Sequence, residues 1–176
     1  MLKKYDKEEI LKCLHYIDDK LSSEYNVQIC GSAAVLLQGY DFRKTFDLDF
    51  VKPLDSVVSA VVQRIYKEHP DIFDRFYDDQ AANVVCLFED YEDRLVEIKD
   101  DFKYLKVYVL SLVDWIISKL ESRKFADLFE YPLATMEHIK FIEENMGLLY
   151  CGPNDYEAKF SLNILKSDLN QQTEGG

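Results

Sequence analysis

Two aspartates stand at alternate positions inside an otherwise apolar run, FDLDFV, and this run restricts what the chain can fold into. Successive side chains of a strand point to opposite faces, so Asp47 and Asp49 would share one face of a sheet. A carboxylate inside an apolar strand is costly unless it is paired, hydrogen-bonded or bound to a metal. The run therefore predicts a metal-binding pair; the alternative is that one or both aspartates lie at an exposed edge of a half-buried sheet.

A Gly-Ser pair precedes this run, between the strand-like residues 27–30 and the short helical segment AAVLLQ. Glycine lets another group approach the backbone closely, and helix-start amides together with the Ser32 hydroxyl can donate to phosphate oxygens. Gly31 and Ser32 are therefore candidate phosphate-binding residues. The alternative is a plain strand-to-helix turn in which Ser32 only caps the helix. Gly39 is expected to end that helix in a left-handed conformation.

A third acidic residue, Glu97, lies in the apolar run LVEI. If its strand stands beside the Asp47–Asp49 strand, the three carboxylates can hold two divalent ions. Such a pair of ions stabilises both the attacking and the departing oxygen during displacement at phosphorus. The alternative is a surface-facing strand residue that pairs with Lys99 or Arg94.

The pattern of apolar residues predicts an α/β (α+β) fold, in which a mixed β-sheet is flanked by helices and followed by a helical portion. Asp6 and Glu9 have the spacing of a capping box at the start of the first helix. The runs 83–88 and 94–98 are rich in strand-forming residues and flank the acidic segment EDYED, so we expect them to form a hairpin. Residues 106–110 are expected to add an edge strand.

The same pattern divides the chain into three segments. Residues 1–110 are expected to form the α/β core, and residues 111–169 a helical portion packed on it. Residues 170–176 have too few apolar side chains to stay ordered and are expected to form a disordered tail.

The charge of the chain bears on its partners. The formal net charge is −12 and the pI is near 4.7. Because Lys and Arg supply most of the affinity for phosphate backbones, this balance disfavours extensive nucleic-acid binding. A local basic patch at Arg43 and Lys44 remains compatible with it.

The segments expected of exported or membrane proteins are missing from the pattern. There is no run of about 18 consecutive apolar residues, and the first residues, MLKKYDKEEILK, carry charges where a signal peptide needs apolar side chains. We therefore expect a cytoplasmic protein without a membrane partner. Widely spaced cysteines without a C-x-x-C pair are expected to be free buried thiols rather than disulfides or zinc ligands: Cys13, Cys30, Cys86 and Cys151.

The segment CGSAAVLLQGYDFRKTFDLDF resembles the signature of the nucleotidyltransferase superfamily that includes DNA polymerase beta: a strand, Gly-Ser, a short helix and an Asp-x-Asp strand. The run RKTFDLD is similar to minimal and toxin-like members of the abortive-infection group, which commonly read R-x-T-x-D-[IL]-D. The resemblance covers residues 29–51, with weaker likeness over 94–98 and 113–129. One departure is Glu97, where many relatives carry Asp.

A second likeness lies in WIISKLESRKFADLFEY, which resembles the family's helix carrying a Lys, followed by a basic residue and an Asp. Here these positions are Lys119, then Lys124 or Arg123, and Asp127. The resemblance implies that Lys119 neutralises a triphosphate. For Asp127 a catalytic role and a salt bridge with Lys124 or Arg123 are the two alternatives.

The resemblance implies a Mg²⁺-dependent transfer of a nucleoside monophosphate from an NTP such as ATP to a hydroxyl of a protein, RNA or small-molecule acceptor. It also allows a toxin of a toxin–antitoxin pair, with an antitoxin protein as partner. The alternative is an inactive nucleotide-binding or regulatory interaction protein with the same fold. The implied ligands of one or two Mg²⁺ ions are Asp47, Asp49 and Glu97; the implied nucleotide-binding residues are Gly31, Ser32, Arg43, Thr45 and Lys119.

Overall fold

The computed structural model of the chain describes residues 4–69, 76–77, 86–120, 126–150 and 155–174. The chain divides into two compact units. The first comprises Met1–Val84 and Leu95–Leu110, and the second comprises Val85–Arg94 and Ser111–Gly176. The second unit thus takes in residues 85–94, which the sequence pattern assigned to the core.

The described elements of the first unit are, in chain order, α1 (Lys7–Asp18), β1 (Tyr25–Cys30), α2 (Gly31–Leu37), β2 (Leu48–Phe50), α3 (Ser56–Glu68), β3 (Phe76–Tyr77), β5 (Val96–Ile98) and β6 (Leu105–Val109). The strands form a five-stranded sheet with the order β3-β2-β1-β6-β5. The β1/β6 and β2/β3 pairs are parallel, whereas β1/β2 and β5/β6 are antiparallel, so the predicted mixed sheet is confirmed.

The core of the first unit lies between this sheet and its helices. Helix α1 packs against α2 and α3, and α2 packs against β1 and β2. Strands β1, β2 and β6 each place alternate apolar side chains in the interior, which is the pattern of a half-buried strand. The central buried residues are Ile10, Leu14, Ile29, Leu48, Phe50 and Val109.

Two predicted local signals in this unit are confirmed. The Asp6 carboxylate accepts a hydrogen bond from the Glu9 amide, and the Glu9 carboxylate accepts one from the Asp6 amide, each at 3.1 Å. This capping box satisfies amides that the first turn of α1 cannot pair internally. Gly39 follows α2 with a φ of 88°, the left-handed conformation expected there.

The C-terminal end of α1 is fixed to the start of β6 by one buried carboxylate. Asp18 accepts hydrogen bonds from the amides of Lys103, Tyr104 and Leu105 at 2.6–2.8 Å. Hydrogen bonds to a charged acceptor are among the stronger ones in proteins, so Asp18 holds helix and strand in register.

The predicted hairpin between residues 83–88 and 94–98 is wrong. Strand β4 (Leu87–Phe88) pairs instead with β7 (Leu149–Tyr150) in a two-stranded antiparallel sheet of the second unit. Strand β5 pairs with β6 in the first unit. Consequently β6 is an inner strand between β1 and β5, and the edge position expected for residues 106–110 belongs to β5.

The described residues of the second unit also form four helices: α4 (Leu112–Leu120), α5 (Asp127–Glu130), α6 (Met136–Glu144) and α7 (Asp155–Glu174). Arg94 anchors the segment 86–94 inside this unit. Its guanidinium makes two hydrogen bonds to the buried Asp114 carboxylate, at 2.9 and 3.1 Å, and an ion pair with Asp90 at 2.8 Å. Residues 170–174, where the predicted tail begins, lie in α7.

The cysteines follow the prediction only in part. Cys13 and Cys30 are buried and form no disulfide bond. Cys86 is disulfide-bonded, which corrects the expected free thiol there, and Cys151 lies outside the described residues. In the part of the chain that the structure describes, no helix has the length and apolarity needed to cross a membrane.

Candidate active site

The two aspartates of the FDLDFV run lie at the start of β2. Asp47 directly precedes the strand, Asp49 lies within it, and both are partly buried. Leu48 and Phe50, which alternate with them, are 0% and 1% exposed. This alternation of burial places the two carboxylates on the face opposite the apolar side chains.

Gly31 makes close contact with one of these carboxylates. Strand β2 runs antiparallel to β1, and its Asp49 pairs with Cys30, so the side chain of Asp49 lies against the first residue of α2. A Cβ atom on Gly31 would stand 2.7 Å from Asp49 Oδ2, closer than side chains tolerate. Gly31 also has a φ of 65°, which favours glycine. Both constraints explain why a glycine stands at this turn.

Ser32 does not cap α2. The N-cap residue is Cys30, whose side chain makes no capping hydrogen bond, and Ser32 is already the second residue of the helix. Ser32 is 6% exposed. The alternative in which Ser32 serves only as the cap is therefore wrong, while its predicted phosphate contact stays a prediction.

Thr45 fixes the orientation of the other carboxylate. Its hydroxyl donates to Asp47 Oδ1 at 3.0 Å, and its backbone forms a bridge with Tyr5 through hydrogen bonds of 2.7 and 3.0 Å. Both Thr45 and Tyr5 are buried. The sequence motif included Thr45 as a nucleotide-binding residue, whereas the structure shows it in contact with Asp47. Tyr5 had no sequence signal, because its contribution is a backbone pairing.

The basic residues before the aspartates differ in their surroundings. Lys44 forms ion pairs with Asp6 at 2.6 Å and Glu9 at 3.6 Å. The hydrogen bond from Lys44 lowers the pKa of Asp6 and raises the pKa of Lys44. The guanidinium of Arg43, which is partly buried, lies 5.6 Å from the centre of the Phe42 ring. In the predicted basic patch, the positive charge of Lys44 is thus balanced by the carboxylates of Asp6 and Glu9 at the start of α1.

Glu97 is not beside the aspartates. It lies on β5, and β1 and β6 both stand between β5 and β2 in the sheet. Three inter-strand spacings of ~4.8 Å amount to a lateral separation of ~14 Å. The expected neighbouring position is therefore wrong. Among the described residues, no group of three or more His, Cys, Asp or Glu side chains is arranged to hold a metal ion.

Lys119 and Asp127 are found together in the second unit. Lys119 Nζ lies 3.3 Å from Asp127 Oδ2, and 5.5 Å from the centre of the Trp115 ring. Lys119 and Asp127 are 4% and 8% exposed. Arg123 and Lys124, the partners weighed for Asp127, lie outside the described residues. The phosphate-binding role of Lys119 stays a prediction.

A comparison against known protein families gives a match for this chain. Residues 7–130 match the model of the family described as "Nucleotidyltransferase of unknown function (DUF6036)". The chain belongs to this family. The match spans β1, α2 and β2, which carry the Gly-Ser turn and the two aspartates, and it supports the nucleotidyltransferase resemblance. No curated protein and no solved structure matches the chain.

Proposed function

We propose that this DUF6036 member is a Mg²⁺-dependent nucleotidyltransferase that transfers a nucleoside monophosphate from an NTP to a hydroxyl of an acceptor. The observation that carries the proposal is the pair of partly buried carboxylates, Asp47 and Asp49, with the Asp49 oxygen against the backbone of Gly31. The family match supports nucleotidyl transfer at the level of the reaction class.

The residues at this site fit a magnesium ion. Mg²⁺ prefers oxygen ligands and is often held by one or two protein carboxylates together with substrate phosphates. Asp47 and Asp49 supply two such carboxylates, so the fit does not require Glu97. A Mg²⁺ ion held there with a nucleotide would neutralise phosphate charge and lower the pKa of an acceptor hydroxyl.

The protein's own contribution is positioning. The Thr45 hydroxyl holds the Asp47 carboxylate in one orientation, and the absent side chain at Gly31 leaves space beside Asp49. A site that is already ordered loses less entropy when the nucleotide binds, which favours a reactive arrangement. In this proposal Arg43 and the first turn of α2 at Ser32 contact phosphate oxygens.

The acceptor is proposed from charge. At a net charge of −12, a protein or small-molecule acceptor suits the chain better than RNA. A toxin role with a cognate antitoxin rests on the likeness of RKTFDLD to toxin-type members.

A second candidate is a nucleotide-binding or regulatory protein without transferase activity. The position of Glu97 favours it, because β1 and β6 separate β5 from β2 and the aspartates are left without that third carboxylate. Both candidates predict nucleotide binding, and only the first predicts a labelled product.

Calorimetric titration with Mg²⁺-ATP tests the shared site. The wild type should bind, and the Asp47→Asn, Asp49→Asn double variant should bind at least about ten-fold more weakly, since it lacks both ligand charges. Asp41→Asn, the same change at an exposed loop residue, is the matched control and should bind like the wild type. Equal binding by the double variant would refute the metal assignment.

Incubation with each radiolabelled NTP and a cell extract then separates the two candidates. A labelled product that requires both Mg²⁺ and the aspartates supports the transferase, and its chemistry identifies the acceptor. Nucleotide binding without any labelled product would favour the regulatory protein.

A further inference from the structure

Among the strands that the structure describes, β5 stands at one edge of the five-stranded sheet. Its residues Val96, Glu97 and Ile98 pair with Val109, Tyr108 and Val107 of β6, and β5 has no other neighbour among the described strands. An edge strand presents unpaired backbone donors and acceptors that can pair with another strand. Val96 is 38% exposed at this edge.

A groove of about 480 Å³ runs along this edge. One wall is formed by the five consecutive residues 96–100, and the other includes Lys7 and Leu11 of α1 and Leu37 of α2. The groove thus lies beside β5, between this strand and the two helices, and leaves space there for the side chains of an added strand.

Two opposite charges stand on this edge at alternate positions. Glu97 lies within β5, Lys99 directly follows its last residue, and both are exposed. Neither forms a salt bridge within the part of the chain that the structure describes. Lys106 on β6 pairs with Glu24 at 2.7 Å, and its positive charge also attracts the Glu97 carboxylate more weakly. Charged residues on an edge usually oppose pairing. Opposite charges two residues apart can instead attract a second copy of the same strand.

We propose that two copies of this chain pair through β5. In an antiparallel pair related by a two-fold axis at Ile98, Glu97 of each copy stands directly opposite Lys99 of the other. Opposite charges at directly opposed positions stabilise a strand pair, and like charges there destabilise it. The contact is isologous, so one Glu–Lys pair is repeated by the two-fold axis and the interface contains two such pairs. It is independent of the proposed nucleotidyl transfer.

Charge reversal gives a decisive test. Sedimentation velocity of the full chain, across about a hundred-fold range of concentration, should show a dimer that dissociates on dilution. Glu97→Lys and Lys99→Glu should each weaken the dimer about ten-fold or more, because each change creates two like-charge pairs. The Glu97→Lys, Lys99→Glu double variant restores both pairs in swapped order and should dimerise like the wild type.

Lys67→Glu, the same charge change at an exposed residue of α3, is the matched control and should leave the dimer unchanged. Circular dichroism checks that each variant folds. A wild type that stays monomeric would overturn the proposal. The edge of β5 would then be a place where a strand of another protein can pair. A dimer that withstands both single reversals would also overturn it, since the contact would then lie elsewhere.

Discussion

At the scale of single residues, the candidate site depends on two close contacts. Gly31 leaves room for the Asp49 carboxylate, and Thr45 holds the Asp47 carboxylate at 3.0 Å. The Gly31–Asp49 contact joins residues far apart in the chain, whereas Thr45 and Asp47 are only two positions apart. The motif therefore indicated the participants, whereas the contacts between them became visible only in the structure.

Replacing Gly31 by Ala should damage both folding and binding. The methyl group would lie 2.7 Å from Asp49 Oδ2, and a φ of 65° costs a non-glycine residue about 1–2 kcal/mol. We expect the free energy of unfolding to fall by at least that amount, as measured by urea denaturation. Displacement of Asp49 should also weaken Mg²⁺-ATP binding about ten-fold or more.

Gly147→Ala is the control for this change. No atom lies within 4 Å of a Cβ at Gly147, and its φ is not positive, so its stability and binding should match the wild type. A Gly31→Ala protein as stable as Gly147→Ala would contradict the close contact at Asp49.

At the scale of elements, the start of α6 carries a pH-sensitive cap. The Thr135 amide donates to His138 Nδ1 at 3.1 Å, and the His138 amide donates to the Thr135 hydroxyl at 3.4 Å. Nδ1 accepts this bond only when it is unprotonated. Burial lowers the pKa of His138 below its ordinary value of 6.5, although the neighbouring Glu137 opposes that shift.

The lowered pKa predicts that the cap weakens in acid. The unfolded chain binds the proton more readily than the folded one, so this contribution to stability is complete above about pH 6.5 and is lost as the pH falls through the lower, folded pKa. The measurement is the free energy of unfolding of the wild type and of His138→Gln between about pH 5 and pH 7.5. Gln keeps an acceptor at this capping position but does not titrate.

Groups other than His138 titrate alike in both proteins, so the difference between them isolates the cap. As the pH falls, the wild type should lose free energy of unfolding relative to the Gln variant. Parallel pH profiles would show that His138 does not control the stability of α6.

Elements whose signals are local were predicted well from the sequence. The capping box at Asp6 and Glu9 and the left-handed Gly39 depend on neighbours within a few residues, and both were found. The pairing of β4 was missed because its partner, Leu149–Tyr150, lies far along the chain. Two strand-like runs around an acidic loop look like a hairpin whether or not they pair, since periodicity carries no information on pairing.

At the scale of the whole molecule, the same limit explains Glu97. Its residue type and its apolar strand were compatible with a third metal ligand, and its strand was found. Its distance from Asp47 and Asp49 depends on the order of strands in the sheet, where β1 and β6 intervene. Strand order follows from how the layers of the fold pack, and no short motif encodes it.

The net charge of the whole molecule makes one further prediction. With a net charge of −12, the excess acidic side chains repel one another in the compact state and destabilise it. Exposed ion pairs such as Lys44–Asp6 and Lys106–Glu24 each add little to stability. Raising NaCl from about 0.01 to 0.15 M shortens the screening length from about 30 to 8 Å. We therefore expect added salt to stabilise the fold, with about 2–4 °C in Tm for each 1 kcal/mol of repulsion removed.

Thermal unfolding followed by circular dichroism measures this response, and KCl at equal ionic strength should act like NaCl because screening depends on ionic strength. Asp41→Lys, a change at an exposed loop residue that makes the formal charge less negative by two, should raise Tm at low salt and reduce the response to salt. A Tm that falls as salt is added would mean that the ion pairs outweigh the net repulsion. The acidic balance would then affect only what the molecule binds and not the stability of its fold.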